Sequence, residues 1–469
     1  MTSTSSHSAQ GAQDLSQIEQ HGVDIIPATE RRSRPRDLFF VFLGSQMCFG
    51  IIVIGGLPIV FGLGLWDAIT SITVGLAVGA AFFGPLGILG ARTGTSGPVA
   101  SGAFFGVKGR IVGTIMTILI GLGFYALTIW TGGEALVAGA AQIFGWETSN
   151  NLLALGSALI CALTIVAAIV GHRLIVATET LVSYVIAAVL VVATITLASG
   201  HTPAETTGTL ALGSFWPTWL LSAMICAALP ISYATFLNDY ARYLPEGTPS
   251  KSIAWAAGGG MFIGCWLALA FAAFVTSIFA DPATPFVSGL IGLSPAWLVV
   301  VLMLVGIVGS QPQGSLCIYN GGLGLQTINP SISRVGATIA LSLVGLAIVF
   351  AGIYVMNMVD LIIAFLTLIE CAVAPWMAVV LIGNAKVGGR YQPADLFAFQ
   401  GGARGSYWFT NGWNKSALSA WVIGTVAGLL FTESSVFTGP FAGVFGGVSL
   451  QLFIAGAVAA SVYAVAERR

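Results

Sequence analysis

Long apolar runs alternate with short polar breaks along almost the whole chain, from Leu38 to Ala466. A helix that crosses the hydrocarbon core of a bilayer needs about 20 apolar residues at a rise of about 1.5 Å each. Cutting the runs at charges, prolines and glycine clusters predicts about twelve such helices, numbered here as spans 1 to 12. Their predicted bounds are 38–64, 67–91, 111–142, 152–171, 175–199, 215–237, 252–279, 295–318, 335–356, 359–383, 416–432 and 445–466. The pattern therefore predicts an all-α membrane protein.

The charged residues test this division, because cytoplasmic loops of membrane proteins collect Lys and Arg. With the N-terminus inside, all 17 basic residues fall in cytoplasmic segments. The predicted outer loops carry acidic residues instead, namely Asp67, Glu147, Glu205, Asp281, Asp360 and Glu433. We therefore predict a multi-pass protein of the inner or plasma membrane with both termini cytoplasmic. Residues 1–37 form a polar tail and residues 38–466 form the transmembrane domain.

Two spans carry features that interrupt a helix. In span 1 the run GSQMCFG at 44–50 is followed by GGLP at 55–58, and span 6 carries Pro230 near its middle. Broken helices are tolerated in lipid only where they line a protein cavity. The two interruptions correspond if the chain repeats after five spans, and such pairs are typical of a transporter site at the membrane midplane. Close packing of glycines between helices is the alternative interpretation.

Span 8 is predicted to end in a polar run that includes Gln311, Pro312 and Gln313. Polar side chains at this depth are costly in lipid and are expected to face a wet or protein-lined interior. One carboxamide offers both a donor and an acceptor, which suits a neutral, planar solute with a hydrogen-bonding edge. A cluster of hydrogen bonds between helices is the alternative.

The carboxyl groups of Glu134 in span 3 and Glu370 in span 10 lie well inside predicted spans. Ionisable side chains inside a bilayer are rare, so each is a candidate for function. Either could carry a coupling proton, and Glu134 could instead be a neutral, hydrogen-bonded packing element. Phe124 lies deep in span 3, where a flat base could stack on its ring.

Composition excludes several other classes of protein. The chain is 56% hydrophobic and 7% charged, whereas soluble domains carry roughly a quarter charged residues. The basic residues are too few and too scattered to bind nucleic acid. The six cysteines lie in apolar runs without paired spacing or histidine ligands, which predicts buried thiols and no firm metal site. The chain lacks clustered His, Cys and carboxylate residues at catalytic spacing, so an enzyme is not expected.

Several motifs stand in a defined order along the chain. Residues 104–109 read FFGVKG, 238–245 read NDYARYLP, 319–326 read YNGGLGLQ, and 406–412 read SYWFTNG. This series resembles the purine and cytosine permease branch of the nucleobase–cation symporter family, in which span 6 ends in DYTRYLP. The resemblance covers nearly the whole chain, and the order and spacing of the motifs make it specific for the family.

The resemblance implies a leucine-transporter-type fold, with two inverted five-helix repeats and two extra C-terminal helices. The repeats would span about 38–199 and 215–383, and the extra helices 416–466. The implied activity is cation-driven import of a nucleobase or related heterocycle, such as cytosine, purine or allantoin, by alternating access. A receptor or sensor that binds a small heterocycle without transporting it is the alternative. The expected partners are this heterocycle and the lipid bilayer, with no nucleic acid, no cofactor besides a coupling ion, and a monomeric state.

The resemblance also implies a substrate site between an aromatic residue of span 3 and one of span 6, with amides of spans 1 and 8 at its polar edge. Pro230 stands roughly where the family has its span 6 aromatic residue, so Tyr233 is the nearby substitute. The predicted substrate-binding residues are Gln46, Phe49, Phe124, Tyr233, Gln311 and Gln313.

The coupling ion is expected to be a proton or sodium. A sodium site in this fold would combine carbonyl groups of the broken span 1 with hydroxyl groups of span 8. The candidates are Gly44, Ser45, Ser310 and Ser315, with Ser310 as the possible sodium ligand. The tandem hydroxyls of sodium-coupled relatives are not evident, so a proton carried by Glu134 or Glu370 is favoured.

Overall fold

The computed structural model describes residues 24–170, 172–203, 208–329, 331–355, 358–434, 436–448 and 450–467. Within these residues, eight helices are long and apolar enough to cross a membrane, and a pair bent by 71°, Pro35–Gly44 with Phe49–Val60, makes a ninth. Shorter apolar stretches, Tyr184–Ala198, Lys415–Leu430 and Gln451–Ala466, lie in the predicted spans 5, 11 and 12. Most of the predicted tail, Glu205 and the last two arginines lie outside the described residues.

Span 1 is the bent pair, and the other spans follow in the predicted order. Spans 2 to 12 are Leu65–Thr93, Ile111–Phe144, Asn150–Val170, His172–Ala198, Phe215–Ser232 with Leu237–Ala241, Ser250–Ser277, Ala296–Ile328, Arg334–Tyr354, Met358–Val387, Lys415–Leu430 and Gln451–Ala466. A short helix, Phe286–Leu293, lies between spans 7 and 8. Span 8 does not end in its polar run as predicted, because the helix continues through Pro312 to Ile328.

Local sequence signals explain several helix ends. Span 3 ends at Gly145, which adopts a left-handed conformation with φ 69°, as glycine does at many helix C-termini. Span 11 begins after Asn414, whose side chain accepts hydrogen bonds from the backbone N–H groups of Ser416 and Ala417. Such a cap satisfies backbone donors that the first helical turn leaves unpaired.

Spans 1 and 6 are both broken, as the sequence predicts. The helix of span 1 is interrupted at residues 45–48, and the helix of span 6 is interrupted at residues 233–236. The position predicted for the second break was wrong, because Pro230 lies inside the helix and contacts Gly79 of span 2. Proline removes a hydrogen bond to the preceding turn, and here the helix ends only after Ser232.

Successive spans run in opposite directions, so the loops alternate between two ends of the bundle. We refer to the end with the Lys- and Arg-rich loops as the basic end, and to the other as the acidic end. At the basic end the motifs at 104–109 and 406–412 contact each other, because the Lys108 backbone N–H donates to the Gly412 carbonyl at 2.8 Å. Asn414 donates from its backbone N–H to the Phe105 carbonyl at 2.8 Å and from Nδ2 to the Phe104 carbonyl at 2.7 Å. The connection between spans 10 and 11 is thereby attached to the loop before span 3.

Glycines at helix crossings allow the spans to approach closely. A Cβ atom at Gly75 of span 2 would lie 2.1 Å from the carbonyl oxygen of Ala223 in span 6. A Cβ atom at Gly260 of span 7 would lie 2.3 Å from that of Phe39 in span 1. Helices in a bilayer associate largely through such close van der Waals contact, so these positions hold the two broken spans against their neighbours.

The substitution Gly75→Ala is expected to lower the melting temperature of the detergent-purified protein by several degrees. Spans 2 and 6 would have to separate, and overpacking of this kind costs about 1–3 kcal/mol. Gly247→Ala is the matched control, because no atom lies within 4 Å of the position of its Cβ atom. Equal melting temperatures for the two variants would show that the crossing of spans 2 and 6 is not tightly packed.

Candidate functional site

Phe124 and Tyr233 meet where span 3 passes the break in span 6. Their ring centroids lie 4.9 Å apart, with 43° between the ring planes, and both side chains are fully buried. Phe124 lies near the middle of a 34-residue helix. Tyr233 follows the last helical residue of the first half of span 6, where the chain leaves the helix. The two residues form what we call the aromatic pair.

Gln313 of span 8 contacts this aromatic pair. Its Nε2 atom donates to the Tyr233 hydroxyl group and lies 3.6 Å from the Sγ atom of Cys317. Its Oε1 atom has no hydrogen-bond partner among the described residues, although the side chain is fully buried. Leaving a buried acceptor unsatisfied costs about 1–3 kcal/mol. Gln313 therefore offers an unused acceptor on a buried amide that is bonded to Tyr233 of the aromatic pair.

The break in span 1 brings Gln46 to the same region. Its Nε2 atom donates to Ser45 Oγ at 2.6 Å, and its Oε1 atom accepts from the thiol of Cys265 in span 7 at 3.5 Å. The thiols of Cys48 and Cys265 also lie near the Tyr233 hydroxyl group. Gln46 therefore joins the group around Tyr233 through a buried thiol. All six cysteines of the chain are buried, as the sequence predicts.

Phe365 of span 10 covers the aromatic pair, and sequence reasoning missed it. Its ring meets Phe124 edge-on, with 5.6 Å between the centroids. The ring also lies on Gly123, where a Cβ atom would come within 2.2 Å of it. A single Phe in an apolar run gives no signal of its own, because only the crossing of spans 3 and 10 distinguishes it from a lipid-facing residue.

Two of the predicted substrate-binding residues lie elsewhere. Gln311 is partly exposed and donates from Nε2 to the Ile307 carbonyl of its own helix at 2.9 Å. Residues two apart on a helix point to nearly opposite sides, so Gln311 and Gln313 cannot share one site. Phe49 is buried with its ring against Gly306 of span 8.

The predicted sodium ligands of span 8 do not face the break in span 1. Ser310 donates to a carbonyl of its own helix and lies against Gly132 of span 3. Ser315 points to span 4, where its hydroxyl lies 3.5 Å from the Thr164 carbonyl. Gly309 of span 8 faces the span 1 break, since its Cβ position lies 2.8 Å from the Met47 carbonyl oxygen.

In span 1 the other two predicted ion ligands are engaged within the break itself. The Gly44 carbonyl accepts from the Met47 N–H at 2.9 Å. The Ser45 hydroxyl accepts from Gln46 and lies 3.4 Å from the Phe42 carbonyl. The predicted ion ligands therefore make their hydrogen bonds within their own spans or, for Ser315, with span 4.

The chain matches the family model described as permease for cytosine/purines, uracil, thiamine, allantoin over residues 25–455. The chain belongs to this permease family. It is 26% identical over 460 residues to a Bacillus subtilis (strain 168) protein named "Putative purine-cytosine permease YxlA". The alignment covers 96% of this chain and 95% of that protein. Membership of the family makes the protein a transporter and not an enzyme, as the sequence predicts.

Solved structures confirm the predicted fold. Mhp1, a nucleobase-cation-symport-1 family transporter in a closed conformation with bromovinylhydantoin bound, has a TM-score of 0.76 at 16% identity, over 97% of this chain and 96% of that chain. The inward-facing conformation of Mhp1 has a TM-score of 0.71 at 17% identity, over 96% of each chain. MhsT in complex with L-phenylalanine has a TM-score of 0.54 at 15% identity, over 93% of this chain and 99% of that chain. The permease thus has the leucine-transporter-type fold.

The two predicted coupling carboxyl groups lie in different parts of the permease. Glu134 accepts from the hydroxyl and the backbone N–H of Ser288 at 2.7 and 3.3 Å. It thereby ties span 3 to the short helix between spans 7 and 8 at the acidic end. Glu134 lies ten residues beyond Phe124, which is about 15 Å along the helix. Glu370 lies in the middle of span 10 and lines a separate cavity.

The permease is closed at the basic end by the residues that follow the break in span 6. Asp239 accepts from the backbone N–H of Gly97 at 2.8 Å, and Arg242 donates to the Tyr319 hydroxyl group at 3.0 Å. Asp239, Arg242 and Tyr319 are fully buried. The NDYARYLP motif therefore seals one end of the bundle below the aromatic pair, which gives its charged residues a structural role.

Proposed function

We propose that the permease imports a nucleobase or a related planar heterocycle, bound by Phe124 and Tyr233 and held at its polar edge by Gln313. The observation that carries this proposal is the unused Oε1 atom of Gln313, on a buried amide that is bonded to Tyr233 of the aromatic pair. A nucleobase has flat faces for the rings and N–H donors for the amide oxygen. The name of the Bacillus subtilis relative and the hydantoin bound to Mhp1 support the same class of substrate.

Binding requires the aromatic pair to open. A flat ring between two others needs about 7 Å between them, which is two contacts of about 3.5 Å, and the rings of Phe124 and Tyr233 are 4.9 Å apart. Tyr233 has to turn away, which breaks its hydrogen bond with Gln313 and frees the amide for the substrate. In the absence of substrate, the Nε2 group of Gln313 thus donates to the Tyr233 hydroxyl group.

The coupling ion is a proton in this proposal. The span 8 residue that faces the Met47 carbonyl is Gly309, which has no hydroxyl, and Ser310 is turned toward span 3. The fold alone is compatible with sodium coupling, because a Na+-coupled sialic acid symporter shares it, with a TM-score of 0.56 at 11% identity over 92% of this chain and 91% of that chain. The placement of the hydroxyl groups in this chain is what favours the proton.

We assign the basic end to the cytoplasm, because Lys and Arg collect in cytoplasmic loops. The acidic end then faces the outside, and import moves the heterocycle from the acidic to the basic end. The protein works in the lipid bilayer as a monomer in this proposal. No feature of the described site favours a receptor or sensor over a transporter.

Thermal stabilisation of the detergent-purified protein tests the substrate class. A ligand at 100 times its Kd stabilises the folded state by about 2.7 kcal/mol, so a true substrate should raise the melting temperature by several degrees. The panel consists of purines, pyrimidines, hydantoins, allantoin, thiamine and pyridoxine, each with and without sodium at two pH values. We expect one heterocycle class to stabilise the protein independently of sodium. A panel without any stabilising compound would count against the proposed substrate, and dependence on sodium would count against the proton.

A further inference from the structure

A cavity of about 210 Å³ lies between spans 6, 10 and 12, on the face of span 10 that is turned away from the aromatic pair. The exposed carboxylate of Glu433, in the loop between spans 11 and 12, forms part of its rim at the acidic end. Glu370 lies deep in this cavity. It is twelve residues from Met358, the first residue of span 10, which corresponds to about 18 Å along the helix. The cavity therefore connects the acidic end with the middle of the membrane.

Two buried polar side chains line the cavity without hydrogen-bond partners. The Glu370 side chain has no hydrogen bond among the described residues, and the residue is 3% exposed. Gln451, the first residue of span 12, is 2% exposed, and its Oε1 atom has no partner in the part of the chain that the structure describes. Buried polar groups in folded proteins are nearly always hydrogen-bonded. Both side chains therefore point to a species that enters the cavity.

The lining of the cavity supplies no positive charge to Glu370. Span 6 contributes apolar side chains such as Met224, and span 12 contributes the neutral Gln451. The titratable neighbours of Glu370 are Cys371 on its own span and Glu433 at the rim, and the described lining residues include no Lys or Arg. An unpaired carboxylate in a protein interior carries a desolvation cost of several kcal/mol. Glu370 must therefore be neutralised by a proton or a cation from the cavity.

We propose that Glu370 takes up the coupling proton from the acidic end of the membrane through this cavity. A hydronium ion in the cavity transfers its proton to the Glu370 carboxylate and leaves a water molecule. The negative charge of Glu433 at the rim attracts the hydronium ion, as charged clefts do for ligands of opposite sign. Gln451 offers its Oε1 atom to the water that carries the proton. This inference rests on the proposed function, because it names the entry point of the ion that drives transport.

Span 10 links this proton site to the substrate site. Phe365 lies five residues before Glu370 on the same helix and covers Phe124. When Glu370 is neutral, its face of span 10 can pack against spans 6 and 12 without the cost of a buried charge. When Glu370 is ionised, this face is destabilised and span 10 shifts toward water, which moves Phe365. Two sites that bias one element in this way are thermodynamically coupled.

Modification by dicyclohexylcarbodiimide tests the proton site without any substrate. The reagent reacts with protonated carboxyl groups in apolar surroundings, and mass spectrometry of peptides from the full-length protein in liposomes locates the adduct. Labelling of Glu370 is expected to fall about tenfold for each pH unit above the midpoint of its titration. Sodium at constant pH should leave the labelling unchanged. Absence of labelling at every pH, or protection by sodium, would overturn the proposal.

Transport by the full-length protein in liposomes tests the coupling, with the heterocycle identified by thermal stabilisation as the probe. Glu370→Gln should lose accumulation driven by a proton gradient but keep counterflow exchange of the heterocycle. Glu370→Asp, which retains a carboxyl group, should keep accumulation, and this separates coupling from folding. Glu147→Gln removes an exposed carboxylate of the acidic end and is the matched control, expected to behave as the wild type.

Accumulation by Glu370→Gln at the wild-type level would overturn the role of Glu370. Loss of counterflow in this variant together with retained folding would place Glu370 in substrate binding and overturn the proposal as well. If the wild type exchanges no heterocycle at all, the proposed function fails, and the carbodiimide labelling still decides whether Glu370 takes up a proton.

Discussion

Gln313→Leu is expected to weaken binding of the heterocycle by roughly 10- to 100-fold, because the substrate would lose its hydrogen-bond partner in a dry site and a buried polar group left unpaired costs about 1–3 kcal/mol. Leucine matches the volume of glutamine closely and keeps the helix. The ligand-induced rise in melting temperature is the measurement, at several ligand concentrations. The unliganded variant should itself melt lower than the wild type, because the Tyr233 hydroxyl group loses the donor that it has in the structure.

Gln311→Leu is the matched control for Gln313→Leu. Both substitutions remove an amide from the same helix, two residues apart, but the Gln311 amide is bonded to the Ile307 carbonyl and is turned away from the aromatic pair. We expect unchanged ligand binding for Gln311→Leu. Equal loss of binding in the two variants would mean that the amides act through the stability of span 8, and the proposed contact of Gln313 with the substrate would have to be abandoned.

Tyr233→Phe separates the ring of Tyr233 from its hydroxyl group. The substitution keeps the aromatic face but releases Gln313 from the hydrogen bond that competes with the substrate. Binding of the heterocycle should therefore be as tight as in the wild type or tighter, in contrast to Gln313→Leu. A large loss of affinity would show that the hydroxyl group itself contacts the substrate.

Phe124→Leu is expected to weaken binding by roughly 10- to 100-fold, since stacking of a base on an aromatic side chain is worth about 1–3 kcal/mol. Leucine retains much of the apolar volume and so limits the cost of a cavity, which for Phe→Ala in a core is about 3–5 kcal/mol. The substrate dissociation constant, determined from the concentration dependence of thermal stabilisation, is the measurement. The same variant should lower the rate of uptake at substrate concentrations below saturation.

Phe124→Trp is the control that keeps an aromatic face in span 3. We expect its affinity for the heterocycle to stay close to that of the wild type, because the indole ring can replace the phenyl ring in stacking. Wild-type affinity in Phe124→Leu would show that the position contributes only apolar contact. Loss of affinity in Phe124→Trp alone would indicate that the space below Phe365 admits no larger ring.

The positions of the two glutamines show where sequence reasoning about the site stopped. The polar run in span 8 indicates that this helix borders a protein-lined interior, and Gln313 lies there. The same run gives Gln311 equal weight, because an apolar span without a clear polar stripe does not reveal which side faces inward. The role of Gln313 in substrate binding stays a prediction until the variants are measured.

The breaks in spans 1 and 6 also show what the sequence predicts and what it does not. Glycine, serine and glutamine at 44–50 predict an interrupted span 1, and the structure has its break at 45–48. In span 6 the proline correctly predicts which helix is broken but not the turn at which the helix ends. The helix continues past Pro230, because one missing hydrogen bond does not have to end it. Tyr233 lies beside Phe124 because the chain leaves the helix after Ser232, and a proline by itself does not predict that displacement.

The sequence alone determined the membrane class, the order of the spans, the two broken helices and the family. These properties depend on the length of apolar runs, on charges between them and on local motifs, all of which are written consecutively along the chain. Only the tertiary structure decided which side chains share a site: the contact of Gln313 with Tyr233, the position of Phe365 on Phe124, and the cavity that joins Glu370 to Gln451. The physical reason is that a helix presents residues on every side, and the crossing of helices distant in sequence selects the side that faces the site.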